Sequence, residues 1–163
     1  VSPQNVRFAN SSDKLRIKKI IDLSFPRFYR YFSNRSVNSS TGAVLVSEEN
    51  GIVLGFARLT EFRVGRSKFG CVLWLAVHPD FRRKGVACGL VRAGASWLMG
   101  RGALAVFASA ARGNVGSIGS FVGAGFRRVG FLGLCGFFGW RVFEFYRKIW
   151  FVPGEVVLVF GVC

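Results

Sequence analysis

The chain has 163 residues, enough for one domain with a sizeable core, and 51% of them are hydrophobic, 18 being Phe. Its 23 Lys and Arg outnumber 8 Asp and Glu, giving a net charge of +15 that favours polyanionic ligands and disfavours polycationic ones such as polyamines. The basic residues are spread along the chain without a nucleic-acid-binding motif, so a nucleic-acid role is not expected, and the apolar run Val129 to Trp140 is shorter than the roughly 20 residues a bilayer span needs.

In chain order, a short first strand is expected at Val6 to Ala9, followed by a helix capped by Ser12 with Ile17, Ile20 and Ile21 inward and Lys14, Lys18 and Lys19 outward. Ala43 to Ser47 and Ile52 to Phe62 read as a hairpin around Glu48-Glu49-Asn50-Gly51, where Asn-Gly suits a type I′ turn. Phe69 to Val77 is the central strand. The helix after it, reaching Arg101, repeats Val86, Leu90, Val91, Ala93, Gly94, Trp97 and Leu98 near the helical period. Ala103 to Ala108 is then the next, parallel strand of a β-α-β unit. A second helical stretch begins at Asn114, which is well placed as its N-cap. Phe126 to Phe131 and Glu155 to Val162 are expected to close the sheet. Between them, Trp140 to Trp150 reads as an extra aromatic helix, with Arg141, Glu144 and Lys148 on its polar stripe. That helix could pack on the domain's own core, wall an acceptor site or form a dimer surface; a membrane-surface role is open to it as well but is not favoured, because its charged stripe is thin. No repeat, linker or low-complexity segment interrupts residues 1 to 163, so a single α/β domain is the reading.

The most informative stretch is Arg82-Arg83-Lys84-Gly85-Val86-Ala87, which joins the central strand to its helix. The first N–H groups of a helix lack internal partners and sit at the positive end of its dipole, so such a turn can grip a pyrophosphate. Gly85 and Ala87 let phosphate oxygens approach the backbone, and Arg82, Arg83 and Lys84 add charge. A solvated basic turn would look much the same. Neither a Walker pattern nor a dinucleotide Gly-x-Gly-x-x-Gly pattern follows the strand.

The run Leu75 to Ala87 resembles the acetyl-coenzyme A site of the GNAT acyltransferases, whose Gln/Arg-x-x-Gly-x-Gly/Ala signature is filled by Arg82, Gly85 and Ala87. Downstream, Asn114, Phe121 and Gly125-Phe126 look like the family's second motif. The resemblance covers roughly residues 6 to 131. It implies the GNAT fold: a mixed, mostly antiparallel sheet of six to seven strands with helices on both faces. It also implies that Leu75, Ala76 and Val77 face the pantetheine arm, that the backbone of Arg83, Lys84, Gly85, Val86, Ala87 and Cys88 holds the pyrophosphate, and that Asn114 and Phe121 border the cofactor. The co-substrate is acetyl-CoA; no metal is implied.

Phe25-Pro26-Arg27-Phe28-Tyr29 resembles, in position and spacing, the peptide-binding loop of protein N-terminal acetyltransferases, nearest among them those acting on ribosomal proteins. Phe25, Pro26 and Tyr29 would then contact a peptide acceptor, although Phe25 and Phe28 also continue the apolar spacing of Ile17 and Ile21, as an ordinary core would. A small-molecule amine acceptor, or a non-catalytic coenzyme A-binding or RNA-associated module, are the alternatives. The family's usual tyrosine acid is Phe121 here, and the positions where some relatives carry a catalytic Tyr or a Glu or His are Cys71 and Ser109. The remaining catalytic candidates are a backbone N–H of Val77 for the oxyanion, Glu61 as base, and Tyr146 as acid. His78, the one histidine, is expected as a solvated turn residue. Cys71, Cys88, Cys135 and Cys163 form no Cys-x-x-Cys pair and suit reduced thiols in a cytoplasmic protein. No signal peptide is expected before the first strand, and no membrane partner is expected.

Overall fold

The computed structural model describes residues 5–149 and 151–161. Seven strands form one sheet in the order β1-β2-β3-β4-β5-β7-β6: β1 Asn5–Phe8, β2 Ala43–Glu49, β3 Ile52–Val64, β4 Ser67–Val77, β5 Val106–Ala111, β6 Arg127–Val129 and β7 Glu155–Phe160. Only β4 and β5 are parallel; every other neighbouring pair is antiparallel. The helices are α1 Lys14–Ser24, α2 Arg27–Val37, α3 Val86–Gly100, α4 Val115–Gly123, α5 Phe131–Phe138 and α6 Val142–Lys148. The mixed, mostly antiparallel sheet expected from the resemblance is therefore observed.

The two faces of the sheet carry different layers. On one, α3 and α4 bury Leu90, Val91, Leu98, Ile118 and Phe121 against Leu59, Val72 and Val106. On the other, Ile17, Ile20 and Ile21 of α1 cover Val46, Val53 and Phe56. Leu134 and Phe138 of α5, Val142 and Phe145 of α6, and Ile149 just after it cover Phe62, Phe69 and Phe107 on that same face. Phe107 is fully buried there, with its ring centroid 4.7 Å from Phe145 and 5.7 Å from Phe138. The hairpin between β2 and β3 turns through Asn50 at φ 50° and Gly51 at φ 75°, the left-handed pair a type I′ turn requires.

Three local expectations change. Ser12 does not cap the first helix; it lies in a 3-10 turn, Ser11–Asp13, that leads into α1 and is itself capped by Asn10: Asn10 Oδ1 accepts from Ser12 N–H at 2.9 Å, and Asp13 Oδ2 accepts from Asn10 N–H at 2.8 Å, a reciprocal capping box. The strand expected from Phe126 to Phe131 stops at Val129. Gly130 caps a new helix there, because Leu134 and Phe138 recur at helical spacing and reach the core together. The aromatic connector is accordingly two short helices, α5 and α6, joined by a single 3-10 turn at Gly139–Arg141. The ends of the expected Trp140 to Trp150 helix and Glu155 to Val162 strand, and Cys163, fall on Trp150, Val162 and Cys163, outside the described residues.

Candidate functional site

β4 and β5 pair at only two positions, Gly70 with Val106 and Cys71 with Phe107, and then part. Beyond them β5 continues along β7 as far as Ala111 and Glu155. Leu73, Trp74 and Leu75 in the middle of the central strand are accordingly half-buried, while Cys71, Val72, Ala76 and Val77 on either side are buried.

The backbone direction follows from two bonds. Gly70 N–H donates to Ala105 O at 2.9 Å, toward β5, and His78 N–H donates to Leu54 O at 2.8 Å, toward β3. The register shift opposite Arg58 and Leu59 inserts one extra residue in β4 and reverses the alternation. Leu75 and Val77 therefore turn their N–H groups toward the side β5 has left. An extended amide-bearing chain can pair with that edge as a strand would.

The open edge runs into the start of α3. Arg83 and Gly85 both adopt left-handed backbone, at φ 59° and 80°, and the first intrahelical bond is Gly89 N–H to Gly85 O at 3.0 Å. The N–H groups of the first turn lie ahead of that bond, and Gly85 provides no side-chain cap. A Cβ built on Gly85 would meet nothing within 4 Å, so the approach to these amides is open. Arg83 and Lys84 are exposed beside them, Lys84 also lying 5.3 Å from the Phe81 ring centroid. These features fit an extended, phosphorylated ligand of the coenzyme A kind.

Arg82 behaves differently from a simple phosphate cation. Its Nε donates to Val77 O at 3.1 Å and its guanidinium to Ser24 Oγ at 3.2 Å, so it braces the end of β4 against the end of α1. Asn114 Oδ1 accepts from Ser117 N–H at 3.1 Å, which fills the N-cap role expected of it. Phe121 is buried, its ring edge-on to Phe126 at 5.2 Å. His78 is 8% exposed rather than solvated: it caps the Pro79–Phe81 turn, its Nδ1 accepting from Asp80 N–H at 3.4 Å.

Phe25 and Tyr29 converge on a residue that sequence reasoning passed over. Their ring centroids lie 5.4 and 6.0 Å from that of Trp74, both edge-on, while Pro26 is exposed at the start of α2. Trp74 sits at the uncovered part of β4, so this aromatic cluster borders the open edge on the α1–α2 face. Its apolar position in a strand looked like plain core, and the signal that distinguishes it is tertiary.

Glu61 and Tyr146 separate. Glu61 is level with Gly70 on the β3–β4 ladder, several residues from Leu75, and its carboxylate is held by Arg101 Nε at 2.6 Å and Lys68 Nζ at 3.1 Å. The Arg101 hydrogen bond holds its carboxyl below the usual range, with Lys68 adding to the effect. Glu61 is therefore a poor base and lies at the wrong end of β3 for the open edge. Tyr146 packs in the α5–α6 layer, its ring parallel to Phe131 at 6.4 Å and 4.7 Å from Phe151; burial pushes its phenol up. Leu73 borders the same apolar cluster. Among the described residues, no group of three or more His, Cys, Asp or Glu side chains could hold a metal ion.

A mixed sheet that splays beside an uncapped helix N-terminus defines an α/β protein built to hold a long phosphorylated ligand at its centre. The family model for the acetyltransferase (GNAT) family matches residues 14–126, and the chain belongs to that family of acyltransferases. Solved structures agree on the fold. Ribosomal-protein-S18-alanine N-acetyltransferase from Escherichia coli superposes with a TM-score of 0.64 at 16% identity, over 96% of this chain and 90% of that one. PaiA N-acetyltransferase from Thermoplasma acidophilum, in complex with coenzyme A, superposes with a TM-score of 0.68 at 12% identity, over 95% and 96%. YncA, a putative acetyltransferase from Salmonella typhimurium with its cofactor acetyl-CoA, gives 0.62 at 19% identity, over 98% and 94%. Among curated proteins, none matches the chain in sequence.

Proposed function

We propose that this protein transfers acetyl from acetyl-CoA to a primary amine, with the α-amine of a peptide or protein N-terminus preferred over a small-molecule amine. The observation that carries this reading is the unpaired side of β4, from Leu73 to Val77, leading directly into the uncapped first turn of α3. Bound acetyl-CoA would supply an acetyl group already activated as a thioester. The N–H groups of Arg83 to Cys88 would hold its pyrophosphate, with Arg83 and Lys84 adding charge, and Leu75 would bind its pantetheine arm. Val77 N–H would meet the charge that develops on the carbonyl oxygen under attack. Arg82 would keep this strand end fixed relative to α1 and the acceptor loop.

Little more is asked of side chains. An α-amine with a pKa of about 8 needs less help to lose its proton than a lysine amine at about 10.4, and a thiol near ~8.5 departs as thiolate with modest help. Phe121 and Ser109 offer neither acid nor strong base, so rate would come from positioning. Phe25, Tyr29 and Trp74 form an apolar wall that suits the side chain of a peptide's first residue. Free thiols at Cys71, Cys88 and Cys135 support the cytoplasmic setting expected for such an enzyme.

Purified protein incubated with acetyl-CoA and a panel of N-terminal peptides, polyamines and other small amines tests the reading through release of free coenzyme A thiol. Turnover is expected with peptides, and Gly85→Glu is expected to abolish both turnover and cofactor binding while the melting curve still shows a folded domain. Tight cofactor binding without transfer to any amine would favour a coenzyme A-binding module, which the loss of the usual acid at Phe121 makes the second reading. Normal cofactor affinity in Gly85→Glu would move the site elsewhere.

A further inference from the structure

The outer sides of α5 and α6 carry a group of large apolar side chains that stand exposed among the described residues. Leu132 is 84% exposed, Trp140 80%, Phe143 71% and Phe131 51%. Leu134, Phe138, Val142, Phe145 and Ile149 already satisfy the sheet, so Leu132, Trp140 and Phe143 are surplus to the core, while Phe131 stacks on Tyr146 at its margin. Trp140, Phe143 and Arg147 follow one another at helical spacing on the side away from Val142, Phe145 and Ile149. Both helices lie on the same sheet face, and their outer sides therefore look into the same half-space.

The rim of this patch is basic. From Arg127 to Ile149 the chain holds Arg127, Arg128, Arg141, Arg147 and Lys148 against the single acid Glu144. The Arg141 guanidinium lies 5.1 Å from the Trp140 ring centroid and 3.7 Å from Glu144. It also sits against the β3–β4 turn, since a Cβ on Gly65 would come within 2.8 Å of it. Bulky aromatics inside a cationic rim are the composition of a surface that lies on an anionic bilayer, with rings at headgroup depth and cations on the phosphates.

We infer that the outer side of α5–α6 docks this protein on anionic lipid surfaces. The sequence alone did not favour membrane contact, because Val129 to Trp140 is too short to cross a bilayer and the charge stripe of the Trp140 segment is thin. No helix among the described residues is long and apolar enough to span a membrane, and docking in the interface needs no such helix. Charge chooses lipid over a second copy: self-association would bring another +15 chain with the same cationic rim against this one, setting like charges together, whereas an anionic surface complements that rim.

Flotation with vesicles of neutral phosphatidylcholine, and of the same lipid with about a third phosphatidylglycerol, tests this at physiological salt. The native protein is expected to float with the anionic vesicles only. The double variant Trp140→Ser, Phe143→Ser keeps the net charge and is expected to bind them roughly tenfold more weakly or worse. Both side chains are mostly exposed, so an unchanged melting curve is expected to show that the variant folds. No flotation of the native protein would overturn the inference. Equal flotation of the double variant would do so as well, reducing the effect to general charge attraction. A native dimer that the double variant dissolves, without vesicle binding, would assign the patch to self-association instead.

Discussion

At the residue scale, the surroundings of a side chain decide its chemistry. Glu61 shares its carboxylate between Arg101 and Lys68, and both cations favour the ionised form. Its folded pKa lies below that of the unfolded chain, so this contribution to stability is whole above the ordinary carboxylate value of about 4.3 and fades as pH falls through the folded value. Glu61→Gln is therefore expected to lower the melting temperature at pH 7 and to leave it unchanged in strong acid. The same variant should keep kcat within about twofold at pH 7 to 9, since no proton is taken by this carboxylate. A loss of activity that grows as pH falls through neutrality would restore Glu61 as the base. Cys71 is similarly settled: burial pushes its thiol up to about 12, which keeps it neutral and makes it a core residue rather than a nucleophile. Neither outcome was legible in the sequence, because Arg101 lies 40 residues from Glu61 and nothing local announces the pairing.

At the element scale, α2 depends on a buried cation. Arg58 is 2% exposed, and it donates to Ser36 O at 2.9 Å, Leu59 O at 3.0 Å, Ala43 O at 3.2 Å and Thr41 O. Ser36 O ends α2, Thr41 O and Ala43 O lead into β2, and Leu59 O belongs to β3, so one side chain ties the helix carrying Tyr29 to the sheet. Arg58→Leu leaves several carbonyls without a donor and is expected to cost about 2–4 kcal/mol in urea unfolding. With α2 loosened, the acceptor KM should rise more than that for acetyl-CoA; equal effects on both would mean that α2 does not shape the acceptor side. In sequence, an arginine in an alternating strand reads as a solvent-facing residue, which hid this role. The α5–α6 region was obscured for another reason. A nearly continuous apolar run gives strand and helix patterns alike, and only the fit of Leu134 and Phe138 against the sheet decides between them.

At the scale of the whole molecule, the parts most legible in the sequence were those written in contiguous residues. The strand from Phe69 to Val77, the turn at Arg82 to Ala87 and the helix behind it occupy one unbroken segment, and the structure forms them nearly where the periodicity indicates. The proposed acceptor side joins the end of α1, α2 and β4, and its contacts, such as Tyr29 against Trp74, appear only when the sheet is assembled. A field of +15 draws a polyanionic co-substrate toward the open edge and repels a charged ammonium acceptor. The account therefore rests on an α-amine arriving uncharged at a preformed strand edge. The most direct measurement is mass-spectrometric location of the acetyl group on a peptide that carries both a free N-terminus and an internal lysine, after incubation with the protein and acetyl-CoA. The account predicts acetylation on the α-amine alone, rising with pH as that amine loses its proton; acetyl found on the lysine instead, or on neither amine, would contradict it.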